Sequence, residues 1–261
     1  MNISALGPHE HNACFARRLR ARGLVVGGES SALRAMLPPL VNTHWSGILV
    51  DEMVLDTSTP SLTGRHELEQ ACHAAGLSYA ELSGPWHSLG EHYGFALFCG
   101  GPPDIRERLR PLLDALAPLP GAWLYAGPTG AGYFTAKVFD ALCVAATLVP
   151  GREWPSAGSA LPTPDWVAFF TQQQLLADRL LQLAQLYLSR QPPSPAPFDA
   201  SQLLEAFSRP PSEQAHYADH LARLIVLALE QRHCVQDIFE RLVSQTRDNG
   251  AGPGLDSGRA V

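Results

Sequence analysis

The chain has 261 residues, a net charge of -6, 46% hydrophobic and 17% charged residues. That is enough apolar material for one large or two modest buried cores, and the acidic balance with no basic stripe excludes a nucleic-acid footprint. No apolar run approaches the roughly 18 residues of a membrane helix, and the first residues lack the layout of a signal peptide, so the expectation is a cytoplasmic protein without membrane contact. The five cysteines are scattered without a CxxC pair, which argues against a disulfide framework or a structural zinc. No metal site is expected. Lysine is used once, at Lys137, against eighteen arginines; a lysine can have its proton affinity tuned by its surroundings, whereas an arginine cannot readily give up its proton.

Taken in chain order, Ile3 to Leu6 predicts a short strand and Asn12 to Arg22 a helix ended by Gly23. Leu24 to Val26 starts a second strand, and Ser31 to Leu37 a brief helix cut by Pro38 and Pro39. Residues 47 to 56 contain a buried strand. Leu62 to Ala75 is helical, Leu77 to Leu82 and Phe95 to Cys99 are strands, and Asp104 to Ala117 is helical. This alternation predicts an α/β region with a mainly parallel sheet. After Gly132 only helices are expected: 134–148, 166–188, 201–207, 213–231 and 235–246, joined by Pro/Gly/Ser-rich connections. The predicted division is a shortened sheet domain over 1–130, a helical domain over 131–249 and a disordered tail from 250.

The strongest local signal is Gly127-Pro128-Thr129-Gly130-Ala131-Gly132, placed between the two regions. Glycines so spaced let backbone approach a ligand closely and let a helix begin against it; a purely structural helix start is the equal alternative. With Asp56-Thr57-Ser58-Thr59-Pro60, Ala80-Glu81-Leu82-Ser83-Gly84-Pro85 and Gly100-Gly101 before Arg108 to Leu113, it appears in the order seen in one family. The chain resembles the 6-phosphogluconate and β-hydroxyacid dehydrogenase superfamily, over residues 1 to 145 in its motifs and beyond that in outline. The resemblance implies α/β followed by all-α: an abbreviated Rossmann-like parallel sheet domain with a helical C-terminal dimerisation domain. It also implies NAD(P)-dependent chemistry on a small hydroxy acid, sugar acid or related carbonyl or imine.

Carried onto this chain, the resemblance makes Lys137 the general acid/base and Asp140 its neighbour one helical turn on, where the family usually has Asn. Lys137 stands one position after the family's lysine slot, which falls on Ala136; one residue is about 100° of helix rotation. Cofactor contacts fall to Gly7, Asn12, Glu29, Thr57 and Ser58, and substrate contacts to Ser83, Gly84 and Gly130. The fingerprint departs from the family's Gly-x-Gly-x-x-Gly, with His9 and Asn12 at the second and third glycines, where backbone should approach the pyrophosphate and the helix should pack on the strand. NAD or NADP is therefore expected to bind weakly or not at all. The interval from Gly7 to Asp56 is also short for a βαβ series of about 30 residues per unit. Two readings follow: a working dehydrogenase, or a non-catalytic descendant kept as a dimeric scaffold or ligand-binding module. The apolar faces of the helices at 166–188 and 213–231 predict a homodimer through the helical region, with Leu180 and Leu183 at the interface.

Overall fold

A computed structural model describes residues 2–6, 10–27, 47–58, 61–147, 166–191, 200–209 and 216–230. Among them are seven strands: β1 (Ile3–Leu6), β2 (Val26–Gly27), β3 (Gly47–Val50), β4 (Met53–Asp56), β5 (Ser78–Ser83), β6 (Leu97–Gly100) and β7 (Trp123–Gly127). The helices are α1 (Glu10–Ala21), α2 (Leu62–Ala74), α3 (Gly90–Tyr93), α4 (Ile105–Arg108), α5 (Arg110–Leu116), α6 (Ala131–Thr147), α7 (Trp166–Arg190), α8 (Ala200–Ser208) and α9 (Tyr217–Glu230). The fold class is α/β followed by all-α. The sequence candidates at 31–37 and 235–246, and the tail from 250, lie outside the described residues.

The strands form one sheet in the order β2-β1-β3-β4-β5-β6-β7. It is mixed rather than mainly parallel: β1–β2, β4–β5 and β6–β7 pair parallel, while β1–β3, β3–β4 and β5–β6 pair antiparallel. The physical reason lies in residues 47–56, expected to hold a single strand. Two apolar quartets, Gly-Ile-Leu-Val and Met-Val-Leu-Asp, flank Asp51-Glu52, and the chain reverses there into a hairpin. Asp51 takes a φ of 51°, a left-handed conformation that Asp tolerates better than most residues, and its carboxylate accepts the Asn2 N–H at 2.8 Å. The returning strand β3 slots between β1 and β4.

Helices cover both faces. On one, α1 and α5 bring Phe15, Leu19, Leu112 and Leu116 against Ile48, Leu55, Leu82 and Tyr125. The helix expected over 104–117 is broken into α4 and α5 at Leu109, two residues before Pro111, whose missing N–H is harmless in a first turn. On the other face, α2 packs Leu68 and Cys72 against Val54 and Tyr79, and α6 packs Phe134 and Val138 with Leu62, Ala126, Ala184, Tyr187, Ala218 and Ala222. The expected boundary near residue 130 falls at the start of α6, which itself lies on β5, β6 and β7. Strand β7 was missed in the sequence because Trp123-Leu124-Tyr125-Ala126-Gly127 does not alternate. It is buried on both faces toward its end, where alternation is not required.

Leu180 and Leu183, expected at a dimer interface, are partly buried against the α6–α7–α9 core of their own chain. The exposed leucines of α7 are Leu175 and Leu186. Among the described residues no helix is long and apolar enough to cross a membrane.

Candidate active site

Strands β4 and β5 run parallel, so their carboxyl ends lie at one edge of the sheet, the edge where ligands of open α/β sheets are held. In register, Asp56 stands directly beside Glu81. Two carboxylates on neighbouring strands repel each other, and both are fully buried. The compensating charge is Arg65 of α2, also 0% exposed. Its Nη1 lies 3.0 Å from Glu81 Oε2 and 3.4 Å from Asp56 Oδ2, and its Nη2 donates to the Ser58 carbonyl at 2.7 Å. Burial opposes the charge on Arg65, but Glu81 and Asp56 together hold its pKa above the usual arginine value.

Further donors converge on one oxygen or both of each carboxylate. Tyr79 Oη donates to Asp56 Oδ2 at 2.9 Å, and the Ser58 N–H and hydroxyl both donate to Asp56 Oδ1. Burial, helped by Asp56, raises the Tyr79 phenol well above its ordinary value. Glu81 Oε1 accepts the backbone N–H groups of Gly132 at 2.7 Å and Tyr133 at 3.2 Å. Burial nevertheless pushes the Glu81 pKa up, against the pull of Arg65 and these two N–H groups.

This arrangement explains the glycine-rich junction. The first N–H groups of a helix have no partner within it and attract an anion; here the anion is the chain's own Glu81. The approach leaves no room for side chains. A Cβ on Gly132 would lie 2.7 Å from the Phe98 carbonyl oxygen, and one on Gly100 would lie 2.5 Å from Glu81 Oε1. Gly130, expected to touch substrate, has φ +91° and sits against Leu62, His66 and Tyr187, away from the cavity described next. The adjoining Thr129 hydroxyl ties the loop to Glu69 at 2.5 Å.

Above the Arg65 floor opens a cavity of about 300 Å³ between the β5 loop and α6. Ser58, Ser83, Gly84, Trp86, Tyr133, Ala136, Lys137, Asp140 and Cys143 line it with Arg65. Residues 133, 136, 137, 140 and 143 reach it from one stripe of α6, as three- and four-residue spacing requires. Both Ala136 and Lys137 border the cavity, so the one-residue offset does not turn the lysine away from it. Lys137 is exposed, with its Nζ 5.8 Å from the Tyr133 ring centre, and Arg65 lies 5.1 Å from the same ring. Ser83 is 6% exposed, and its hydroxyl has no hydrogen-bond partner among the described residues.

The expected cofactor residues fare differently. Gly7 and Glu29 lie outside the described residues, as does His9. Asn12 is buried in the first turn of α1, and its Oδ1 accepts the Thr57 hydroxyl at 3.4 Å, while His11 meets the same hydroxyl at 3.2 Å. Helix α1 is thus pinned to the loop after β4, and the Ser58 hydroxyl is spent on Asp56.

Sequence reasoning passed over Arg65, Tyr133 and Trp86. A signal for Arg65 existed: Leu62, Arg65, Leu68 and Cys72 form one buried stripe on α2, and a charge on such a stripe demands a buried partner. Among the described residues no cluster of His, Cys, Asp and Glu could hold a metal ion.

No family profile matches the chain, and no curated relative matches it. In structure it is similar to 3-hydroxyisobutyrate dehydrogenase of Mycobacterium tuberculosis solved with L-serine, at 16% identity and TM-score 0.44, covering 98% of this chain and 96% of that one. It is also similar to a variant imine reductase of Myxococcus stipitatus solved with NAD+, at 10% identity and TM-score 0.44, covering 89% and 93%. The 3-hydroxyisobutyrate dehydrogenase of Salmonella typhimurium follows, at 15% identity and TM-score 0.39, covering 83% and 97%.

Proposed function

We propose that the chain is a nicotinamide-dependent oxidoreductase of the 3-hydroxyacid dehydrogenase type, acting on a small hydroxy acid, sugar acid or related carbonyl or imine. One observation carries this reading: Ser83, Gly84, Lys137 and Asp140, distant in sequence, line a single cavity above a buried arginine. The cofactor, when bound, supplies or accepts the hydride. The chain's own part is to hold the substrate with the Ser83 hydroxyl and to exchange a proton with its oxygen or nitrogen through Lys137. Asp140 stands one turn further along α6. General acid–base assistance of this kind is worth about 10²–10⁴-fold in rate.

A second reading is favoured by the bonds of Asn12, Thr57 and Ser58. With those side chains engaged inside the protein, the chain serves as a ligand-binding module or scaffold without turnover. Calorimetric titration of NADH and NADPH separates the two. The dehydrogenase reading expects binding weaker than micromolar, together with consumption of reduced cofactor at millimolar concentration once a carbonyl or imine is supplied. No heat from either cofactor at millimolar concentration overturns it in favour of the module.

In either reading the chain forms a homodimer through its helical half, with Leu175 and Leu186 of α7 in the interface. A two-fold partner buries such a patch against its own copy. Light scattering should give twice the 28.2 kDa chain mass; a monomer at tens of micromolar overturns the dimer.

A further inference from the structure

The walls of the cavity between the β5 loop and α6 are of a different kind from its floor. Pro85, Trp86, Ala96, Phe98 and Phe139 supply them. The Phe98 and Phe139 rings stand 5.2 Å apart, and Phe139 holds that place although it is 39% exposed. Trp86 is fixed from behind: its indole N–H donates to the Thr57 carbonyl at 3.1 Å, and Phe15 meets it edge-on at 5.0 Å. A volume of about 300 Å³ lies at the small end of ligand pockets, which are mostly apolar with a few placed polar groups.

The charges around this space leave no cation over for an anion. Arg65 and Lys137 border it, and so does Asp140. Arg65 is already spent on two carboxylates, Asp56 and Glu81. Lys137 shares its stripe of α6 with Asp140, three residues on and therefore a near neighbour. Two cations thus face three carboxylates. Burial raises the Glu81 pKa, but protonating Glu81 brings the balance only to zero. The Ser58 hydroxyl is engaged with Asp56, and Ser83 brings no charge. A carboxylate entering here gives up its water and gains no unmatched cation in return, which is costly.

We propose that the cavity takes a compact apolar ring compound bearing an uncharged carbonyl, and that Asp140 turns carboxylates away. This narrows the substrate class of the function proposed above: a ring carbonyl is admitted, and hydroxy acids and sugar acids are not. Turnover of such a compound rests on that reading; its binding does not. Asp140 acts here on the charge of the ligand, as a residue that determines specificity.

The test uses three ligands that share a ring and a ketone: cyclohexanone, 4-oxocyclohexanecarboxamide and 4-oxocyclohexanecarboxylate. The amide matches the acid in size and differs from it in charge. Binding to the full chain is followed by saturation-transfer NMR without nicotinamide, at low salt because salt screens exposed charges. Cyclohexanone and the amide should show saturable binding, and Ala136→Phe, which sets a ring into the cavity, should abolish both. The acid should bind about tenfold more weakly than the amide, as a charge left unmatched requires. Asp140→Asn should narrow that gap about threefold by removing the opposing charge. No saturable binding of the two uncharged ketones, binding that survives Ala136→Phe, or an acid held as tightly as the amide overturns the proposal. A gap that Asp140→Asn leaves unchanged overturns the part given to Asp140. If Ala136→Phe does not fold, Phe139→Ala at the exposed wall decides. Cyclohexanone should then bind about threefold more weakly for the lost apolar contact, and unchanged affinity overturns the placement. A chain that binds both uncharged ketones and ignores NADH keeps the ligand class and overturns the dehydrogenase. One that consumes NADH with the acid and not with the amide does the reverse.

Discussion

On the floor of the cavity, Asp56, Arg65 and Glu81 are withdrawn from water and bonded to one another. On its rim, Lys137 and Asp140 stand exposed one helical turn apart. The same kinds of charge thus serve two ends. A buried charge must be matched or it destabilises the fold, so the floor is a closed set in which each member depends on the others. The rim charges are solvated whether or not they meet a partner, so the role proposed for Lys137 does not lean on the floor's ion pairs. The floor should therefore govern stability and the rim chemistry, and substitutions can break that division.

The largest effect belongs to Arg65. Arg65→Leu keeps the bulk of the side chain's stem but strands two buried carboxylates beside each other. Breaking a buried pair by removing one partner costs about 3–5 kcal/mol, and urea unfolding should show a loss of that order. Arg65→Lys keeps the charge but cannot reach Glu81, Asp56 and the Ser58 carbonyl at once, so it should recover only part of the loss. A change below about 1 kcal/mol in Arg65→Leu, the size of an ordinary substitution, would show that the floor is not a closed set.

Next comes the glycine junction. Gly132→Ala sets a methyl group 2.7 Å from the Phe98 carbonyl oxygen, against backbone that cannot swing aside. Overpacking of this kind costs about 1–3 kcal/mol. It also lifts the start of α6 off Glu81, which links floor to rim, because Lys137 is carried on that helix. Gly27→Ala makes the control for chain entropy, since its φ is not in the left-handed region and a Cβ there meets nothing closer than 3.6 Å. Equal losses in the two variants would mean that close packing against Glu81 is not what the glycine supplies.

Glu81 gives a smaller, pH-dependent effect. Its folded pKa is raised by burial. Between the ordinary carboxylate value and that raised value the folded state holds a proton that the unfolded state has released. Stability from this group is then present at low pH and lost as pH rises through that window. Glu69 acts with the opposite sign: its pKa is lowered, with burial outweighed by bonds from His66 and Thr129, so its contribution is lost as pH falls. Comparing the native chain with Glu81→Gln removes the shared background. The native protein should lose stability relative to the variant as pH climbs above the carboxylate range, and parallel profiles would contradict the assignment.

The floor was the less legible region, and the reason is physical. The sequence motifs placed Asp56, Ser83 and Lys137 in one neighbourhood by their order in the chain. Nothing in that order says that Asp56 and Glu81 share a register position, since pairing across strands depends on where the hairpin at Asp51 turns. Reading 47–56 as a single strand hid the insertion of β3 and with it the mixed sheet. The longer described helices were legible to within a few residues because their apolar period is local. The one-residue offset of Lys137 was not decidable from spacing alone, because the cavity is bordered along α6 by 136 and 137 together.

The smallest effect on stability, and the sharpest test of the rim, is Lys137→Met. The side chain is exposed and its described contact is with the face of Tyr133, 5.8 Å away, an interaction worth about 0.5–1 kcal/mol at an exposed site. Methionine keeps an apolar stem over that ring, so unfolding should change by less than about 0.5 kcal/mol, as for surface substitutions generally. Turnover should fall by about 10²–10⁴-fold if Lys137 exchanges the proton, with cofactor affinity unchanged, since no expected cofactor contact is on α6. Arg in place of Lys137 separates charge from proton transfer: it keeps the positive charge but does not release its proton, so Lys137→Arg should be as slow as Lys137→Met. A Lys137→Arg chain that retains full turnover would reduce the lysine to an electrostatic role. A Lys137→Met chain that unfolds several kcal/mol more easily would place it with the floor, and the division between the two regions would fail.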